Sequence, residues 1–120
     1  VHVADAVRAN LFFFEHRDKS GIFNVGTGQS HSFNDVALAV INACRLVDEQ
    51  TALDLTEAVK QGVLSYFPMP DALEGKYQNF TEASMTKMWE TGFESPCIDV
   101  PSGVRQYAQS LYRELKANGS

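Results

Sequence analysis

The chain has 120 residues, of which 44% are hydrophobic and 21% are charged, which is the composition of one small globular domain with a core of its own. Its net charge of −5 provides no electrostatic footprint for nucleic acid, and no apolar run reaches the length of a membrane span. Cys44 and Cys97 lack metal-ligand spacing, so we expect two reduced thiols in a cytoplasmic protein without a metal site.

The chain begins with Val1-His2-Val3, which is apolar and resembles the end of a strand. Such a beginning, with neither an initiating Met nor a polar lead-in, favours a C-terminal fragment of a longer protein. Asp5 is placed near the start of a helix that runs through His16. The apolar residues of this helix, which we expect to be buried, are Val7, Leu11, Phe12, Phe13 and Phe14.

A strand, a glycine-rich turn and a second helix form the strongest local pattern. Ile22–Val25 is a short apolar run that predicts a buried strand, and Gly26 and Gly28 allow the backbone to turn. Ser32-x-x-Asp35 then predicts a capping box at the start of a helix. The apolar face expected for that helix comprises Phe33, Val36, Ala37, Val40, Ile41 and Cys44.

The glycine-rich turn is not a complete cofactor motif. A dinucleotide-binding loop needs a third glycine, and His31 occupies that position. We therefore expect Gly26 and Gly28 to serve the turn alone, and we assign no cofactor-binding residue. His31 is interpreted as an ordinary solvent-facing loop histidine.

The rest of the chain predicts shorter elements. They are a short helix from Leu53 to Lys60 that ends at Gly62, a strand at Val63–Phe67, one helical turn at Ala72–Gly75, a helix capped by Thr81 and ended by Gly92, and a last helix capped by Asp99, with a frayed tail from Ala117 to Ser120. The apolar stripe of the last helix comprises Val104, Tyr107, Ala108, Leu111 and Leu115.

Tyr112 and Lys116 form a Tyr-x-x-x-Lys pair, the spacing that short-chain dehydrogenases and epimerases use for proton transfer beside a nicotinamide. Here the pair lies on the terminal helix, next to the frayed tail and far from any cofactor loop. We therefore reject it as an active site.

The segment from Pro70 to Gln78 is the best candidate for ligand binding. It combines Gly75, Lys76, Tyr77 and Gln78 in irregular backbone, a mixture that suits a nucleotide-type ligand. The same residues also fit a structural loop with Tyr77 half buried. The residues alone leave both interpretations open.

The chain resembles the extended short-chain dehydrogenase/reductase family over nearly all of its length. The general marks are Val1-His2-Val3-Ala4-Asp5-Ala6-Val7, Gly21-Ile22-Phe23-Asn24-Val25-Gly26-Thr27-Gly28, and Gly92-Phe93-Glu94-Ser95-Pro96 with Gly103-Val104. The sharper marks lie between Tyr66 and Thr81. The resemblance implies an α/β fold: residues 1–31 would form the edge of a Rossmann sheet, and residues 32–120 mainly a smaller substrate-binding lobe.

The resemblance also implies a function, namely C6 epimerisation of an ADP-bound heptose with tightly held NADP, for the core of lipopolysaccharide. The nucleotide loop and the catalytic Tyr-x-x-x-Lys would lie upstream of Val1, so no catalytic residue is expected here. Tyr77 would contact the substrate, with Lys76 and Gln78 as weaker neighbours. The expected partners are an N-terminal Rossmann portion and further copies in a homo-oligomer. Another nucleotide-sugar epimerase or dehydratase, or a non-catalytic assembly domain, remains an alternative.

Overall fold

The structure, a computed structural model, describes residues 1–78, 80–94 and 96–119. Within these ranges the chain is 51% helix and contains no strand or sheet. The helices are α1 (Val3–Glu15), α2 (Phe33–Val47), α3 (Leu55–Lys60), α4 (Thr86–Trp89) and α5 (Val100–Asn118), with a 3₁₀ turn at Asp71–Leu73. The predicted α/β fold, with residues at the edge of a Rossmann sheet, is therefore wrong, because the described chain is helical.

Two of the three predicted strands are replaced by parts of helices or their ends. Val3 is the first residue of α1, and the Nδ1 atom of His2 caps this helix by accepting a hydrogen bond from the Ala4 N–H group at 3.2 Å. The N–H groups of Val63 and Leu64 both donate to the Ala58 carbonyl, at 3.0 and 3.1 Å, just beyond the end of α3, and residues 65–67 are irregular.

The third predicted strand, Ile22–Val25, is an irregular segment. Its side chains alternate between the core and solvent, but its backbone pairs with no strand among the described residues. Phe23 and Val25 pack against a hydrophobic core, whereas Ile22 is 89% exposed. An apolar run shows which residues can be buried, but a strand also needs N–H and C=O partners from a neighbouring strand. No such neighbour exists among the described residues.

The helix predictions were more successful. The capping box of α2 is confirmed: Ser32 Oγ accepts from the Asp35 N–H group at 3.1 Å, and the Asp35 carboxylate accepts from the Ser32 N–H group at 2.9 Å. Helix α5 begins directly after Asp99, as predicted, whereas α4 begins at Thr86 rather than next to Thr81. None of the helices in the described ranges is both long and apolar enough to span a bilayer.

The chain divides into two compact units. Unit 1 comprises Val1–Ser30 and Phe80–Val100, and its buried apolar cluster consists of Ala9, Met85, Met88 and Phe93. Partly buried residues surround this cluster, namely Phe12, Phe13, Phe23, Val25 and Cys97. The rings interlock, since those of Phe12 and Phe93 meet edge to face at a centroid distance of 5.4 Å.

Asp5 is fully buried in unit 1 and joins two parts of its chain. Its carboxylate accepts hydrogen bonds from the Arg8 guanidinium and, at 2.9 Å, from the Ile98 N–H group. Arg8 also donates to the Pro96 carbonyl at 2.9 Å. The Asp5 carboxylate is thus satisfied by a charge partner and a backbone donor, as buried ions require.

Unit 2 comprises His31–Asn79 and Pro101–Ser120, and its buried residues are mostly small: Ala43, Ala58, Leu64 and Gly103. Hydrogen bonds join its segments instead. The Asn42 side chain both donates to the Leu53 carbonyl and accepts from the Leu53 N–H group, each at 2.8 Å. Arg45 Nε donates to the Thr51 carbonyl at 2.7 Å.

The predicted apolar faces of two helices are largely exposed, contrary to expectation. On α1, Val7, Leu11 and Phe14 face outwards, and Ala9, Phe12 and Phe13 face the core. On α5, Tyr107, Leu111 and Leu115 are exposed. Asn79 and Ser95, which belong to the quoted family motifs, and Ser120, in the predicted frayed tail, lie outside the described residues.

Candidate functional site

The segment from Pro70 to Gln78, hereafter the 70–78 segment, is organised by local backbone bonds. Its 3₁₀ turn is followed by a hydrogen bond from the Lys76 N–H group to the Leu73 carbonyl, at 3.1 Å. Gly75 has a φ of +70°, a conformation that L side chains rarely adopt. A Cβ at this position would have open space around it, so backbone conformation rather than crowding accounts for the glycine.

Tyr77 follows this turn and contacts a second aromatic residue. Its ring centroid lies 6.0 Å from that of Phe33, with an interplanar angle of 47°. Tyr77 remains 45% exposed and Phe33 72% exposed. We refer to Phe33 and Tyr77 as the aromatic pair.

The three predicted site residues all lie in this segment. Lys76 and Gln78 are exposed on either side of Tyr77 in the chain. Phe33 was assigned to the buried face of α2, so its contact with Tyr77 was missed. Its position in the sequence could have indicated this exposure. Phe33 is the first residue of α2, so the helix has no preceding turn that could cover its ring.

The start of α2 beside Phe33 is held by its own side chains. The pKa of Asp35 is lowered chiefly by the hydrogen bond from the Ser32 N–H group and by the Ser32 hydroxyl, with a smaller contribution from His31. His31 Nδ1 lies 3.7 Å from the Asp35 carboxylate. His31 therefore lies next to a carboxylate of the capping box. Among the described residues, it belongs to no group of three or more potential metal ligands.

The glycine-rich turn is packed against residues of its own unit. The Gly26 N–H group points to Met85 Sδ at 3.2 Å, and a Cβ on Gly26 would come within 3.0 Å of the Ala83 Cβ. Gly28 has a φ of +73°. Close packing and backbone conformation thus explain both glycines.

The Tyr112 and Lys116 side chains bind Asp48, the residue that caps the end of α2. The Tyr112 hydroxyl donates to one carboxylate oxygen at 2.8 Å, and the Lys116 ammonium contacts the other at 2.6 Å. These hydrogen bonds, that of Lys116 first, lower the pKa of Asp48. The hydrogen bond to Asp48 in turn raises the pKa of both Tyr112 and Lys116.

This arrangement, hereafter the Asp48 clamp, suits attachment of α5 better than proton transfer. A catalytic phenol needs a lowered pKa to act as a base near neutral pH, and the pKa of Tyr112 is shifted in the opposite direction. The clamp therefore gives the Tyr-x-x-x-Lys pair a structural role within unit 2.

The remaining metal-binding or nucleophilic candidates form no site in the described part of the chain. There, no group of three or more His, Cys, Asp or Glu side chains is arranged to hold a metal ion. Cys44 and Cys97 are free thiols, and burial raises the pKa of Cys97. No protein-family model matches this chain. The 70–78 segment with its aromatic pair stays the predicted ligand-binding segment.

Proposed function

We propose that this chain is the substrate-binding part of a cytoplasmic, NADP-dependent ADP-L-glycero-D-manno-heptose 6-epimerase. The proposal rests on the residues from Tyr66 to Thr81, which resemble those of such enzymes, and not on the fold. NADP and the groups that move hydride and protons would belong to an N-terminal Rossmann portion, and we derive no catalytic step from the residues of this chain.

The exposed ring of Tyr77 is the observation that carries the proposal. A half-exposed aromatic ring on an irregular segment can cover an apolar face of a ligand, while its hydroxyl can donate a hydrogen bond to a phosphate or sugar oxygen. Lys76, next to it, supplies a point charge for a diphosphate. Gln78 adds an amide donor and acceptor.

Ligand titration of the whole chain tests this proposal. ADP-heptose is expected to bind saturably in isothermal titration calorimetry and to be preferred over UDP-glucose and GDP-mannose. Tyr77→Ala should weaken binding by about tenfold, since a lost stacking contact typically costs about 1–3 kcal/mol. Tyr107→Ala is the matched control, because Tyr107 is an exposed tyrosine of the same unit.

Three results would contradict the proposal. They are the absence of saturable ADP-heptose binding, equal affinity for all three nucleotide sugars, and a Tyr107→Ala variant that loses as much affinity as Tyr77→Ala. A coupled epimerisation assay supplies a separate check. With NADP and ADP-heptose added, this chain alone should give no turnover, whatever substitution is made at Tyr112.

The exposed side of α1 favours a second candidate, a non-catalytic assembly domain that forms homo-oligomers. Val3, Val7, Leu11 and Phe14 follow the spacing of one helix stripe, and all four are exposed. Under this hypothesis the wild-type chain would sediment as an oligomer, and Leu11→Glu would return it to a monomer. Sedimentation as a monomer at all concentrations would exclude this candidate and leave the first untouched.

A further inference from the structure

The aromatic pair combines features that a purely structural contact does not need. Phe33 is 72% exposed although its ring touches Tyr77, so the contact leaves most of the phenylalanine surface open to solvent. The position of Phe33 is also well defined, because it directly follows Ser32 in the capping box of a 15-residue helix. An open aromatic ring thus extends from an ordered backbone position beside a residue proposed to bind substrate.

We propose that Phe33 is a second ligand-contacting residue, and that the adenine ring of the ADP-sugar stacks on the aromatic pair. This inference rests on the proposed function of Tyr77 and extends it to α2. Every nucleobase has an apolar face that stacks on aromatic side chains. The ring centroids lie 6.0 Å apart and the ring planes are inclined at 47°, so the two rings are not the parallel walls, about 7 Å apart, that would hold a base between them. The base would therefore cover a ring face and would not be sandwiched.

The surrounding charges orient the rest of the ligand. The carboxylate of Asp35 lies at the start of α2, where it accepts from the Ser32 N–H group. This carboxylate offsets the attraction of the helix N-terminus for anions, so the start of α2 is not favoured as the diphosphate site. Lys76, the residue before Tyr77, offers the opposite charge. With adenine on the aromatic pair, the diphosphate is expected to extend towards Lys76 and away from Asp71 and Glu74, the acidic residues of the 70–78 segment.

The test uses the whole chain and ADP as the probe. Phe33→Leu keeps an apolar contact for Tyr77 but removes the ring, and Phe33→Trp keeps an aromatic face. We expect Phe33→Leu to weaken ADP binding by about tenfold and Phe33→Trp to bind as the wild type does. Tyr107→Leu, which removes an exposed ring from α5, should leave the affinity unchanged.

A spectroscopic readout separates stacking from support of the loop. In the wild-type complex the adenine H2 and H8 proton resonances should move upfield through the ring current of Phe33, and Phe33→Leu should reduce this shift. Amide exchange of Lys76 reports whether the 70–78 segment keeps its hydrogen bond to Leu73. It should stay unchanged in Phe33→Leu.

The outcomes distinguish this inference from the proposed function. If the wild type binds ADP-heptose but Phe33→Leu binds ADP equally well, or loses affinity together with Lys76 amide protection, Phe33 only supports the loop and the inference is wrong, while the proposed function stands. If the wild type shows no saturable binding of ADP-heptose, both are wrong.

Discussion

The two units of this chain are stabilised in different ways. Unit 1 buries large side chains, with Met88 and Phe93 in its cluster and the rings of Phe12 and Phe13 beside them. Unit 2 buries mainly alanine and glycine, and its segments are joined by hydrogen bonds from Asn42 and by the Asp48 clamp. The largest effect in unit 1 should therefore come from deletion of side-chain volume, and the largest effect in unit 2 from deletion of a hydrogen bond.

The two kinds of stabilisation also differ in how strictly they depend on the geometry and identity of the groups involved. Burial of apolar area provides a non-directional stabilisation that tolerates a change of shape if the volume is conserved. A hydrogen bond between a side chain and the backbone fails once its one donor or acceptor is removed. Substitutions of equal size should thus have unequal effects in the two units.

The largest effect is expected for Met88→Ala in unit 1. Met88 is fully buried, and its truncation leaves a cavity that costs about 2–5 kcal/mol of the free energy of unfolding. Met88→Leu conserves volume and should cost less than about 1.5 kcal/mol. Hydrogen exchange read by mass spectrometry should show the loss in residues 1–30 and 80–94. Met69→Ala, at a half-exposed methionine, is the control, and an equal loss there would contradict the prediction.

Asp5→Ala should have the next largest effect, about 2–4 kcal/mol of the free energy of unfolding. The substitution leaves the Ile98 N–H group without its acceptor and Arg8 without its charge partner. The figure is below that for a fully buried pair because the Arg8 side chain is 37% exposed and can be hydrated. Urea denaturation measures the difference. Asp18→Ala removes an exposed aspartate and should be close to neutral.

Asn42→Ala should cost about 1–3 kcal/mol in unit 2, because both the N–H and the carbonyl of Leu53 lose their partner. The same measurement on Asn10→Ala is the control. Asn10 makes an exposed hydrogen bond to the Ala6 carbonyl, which water can replace. If both variants lose the same stability, the hydrogen bonds of unit 2 do not have the importance assigned to them here.

Loss of the Asp48 clamp should have the smallest effect, a fall of a few degrees in the melting temperature at most, because its groups are solvent-accessible. The pKa of Asp48 is lowered on folding, so its contribution is complete above its usual value of 3.8 and is lost as the pH falls through the lower folded value. The pKa of Tyr112 and that of Lys116 are raised, so their contributions are complete below 10.0 and 10.5 respectively and are lost at higher pH.

The gap in melting temperature between wild type and Asp48→Asn should accordingly be constant from about pH 5 to 9 and should close on both sides of that range. Thermal denaturation in a series of buffers measures it. A gap that stays the same after the Asp48 carboxylate has been protonated at low pH would show that Asp48 acts through something other than its charge.

The helices were predictable because their signals are local. The Ser32 and Asp35 side chains satisfy N–H groups within the same turn, so the start of α2 depends on nothing distant in the chain. Strands were mispredicted for the converse reason. Ile22–Val25 has the composition of a strand, but strand pairing depends on another segment, which a single apolar run cannot reveal.

The sequence of a helix alone also could not predict which of its faces is buried. Periodicity shows that Val7, Leu11 and Phe14 share one side of α1, yet the core lies on the side of Ala9 and Phe12. Which face is covered depends on the Met85 and Met88 side chains, about 75 residues further along the chain. The composition of one helix contains no information about that distant partner.

For the candidate site, local sequence located the segment but not its neighbour. Gly75 predicts a turn because of its conformational freedom, and Tyr77 attracts attention as an aromatic residue in irregular backbone. The contact with Phe33 joins residues 44 positions apart, so no local rule connects them. Tyr77, Lys76 and Gln78 remain predictions as ligand-binding residues.

Each unit contains one cysteine, so the wild-type chain has one natural chemical reporter in each unit. Cys97 lies against the cluster of unit 1 and Cys44 lies on α2 in unit 2. Because the thiolate is the reactive form, the raised pKa of Cys97 slows its alkylation while unit 1 is closed. The rate at which iodoacetamide labels each thiol, resolved by peptide mapping, would therefore show which half of the molecule opens first as conditions become denaturing.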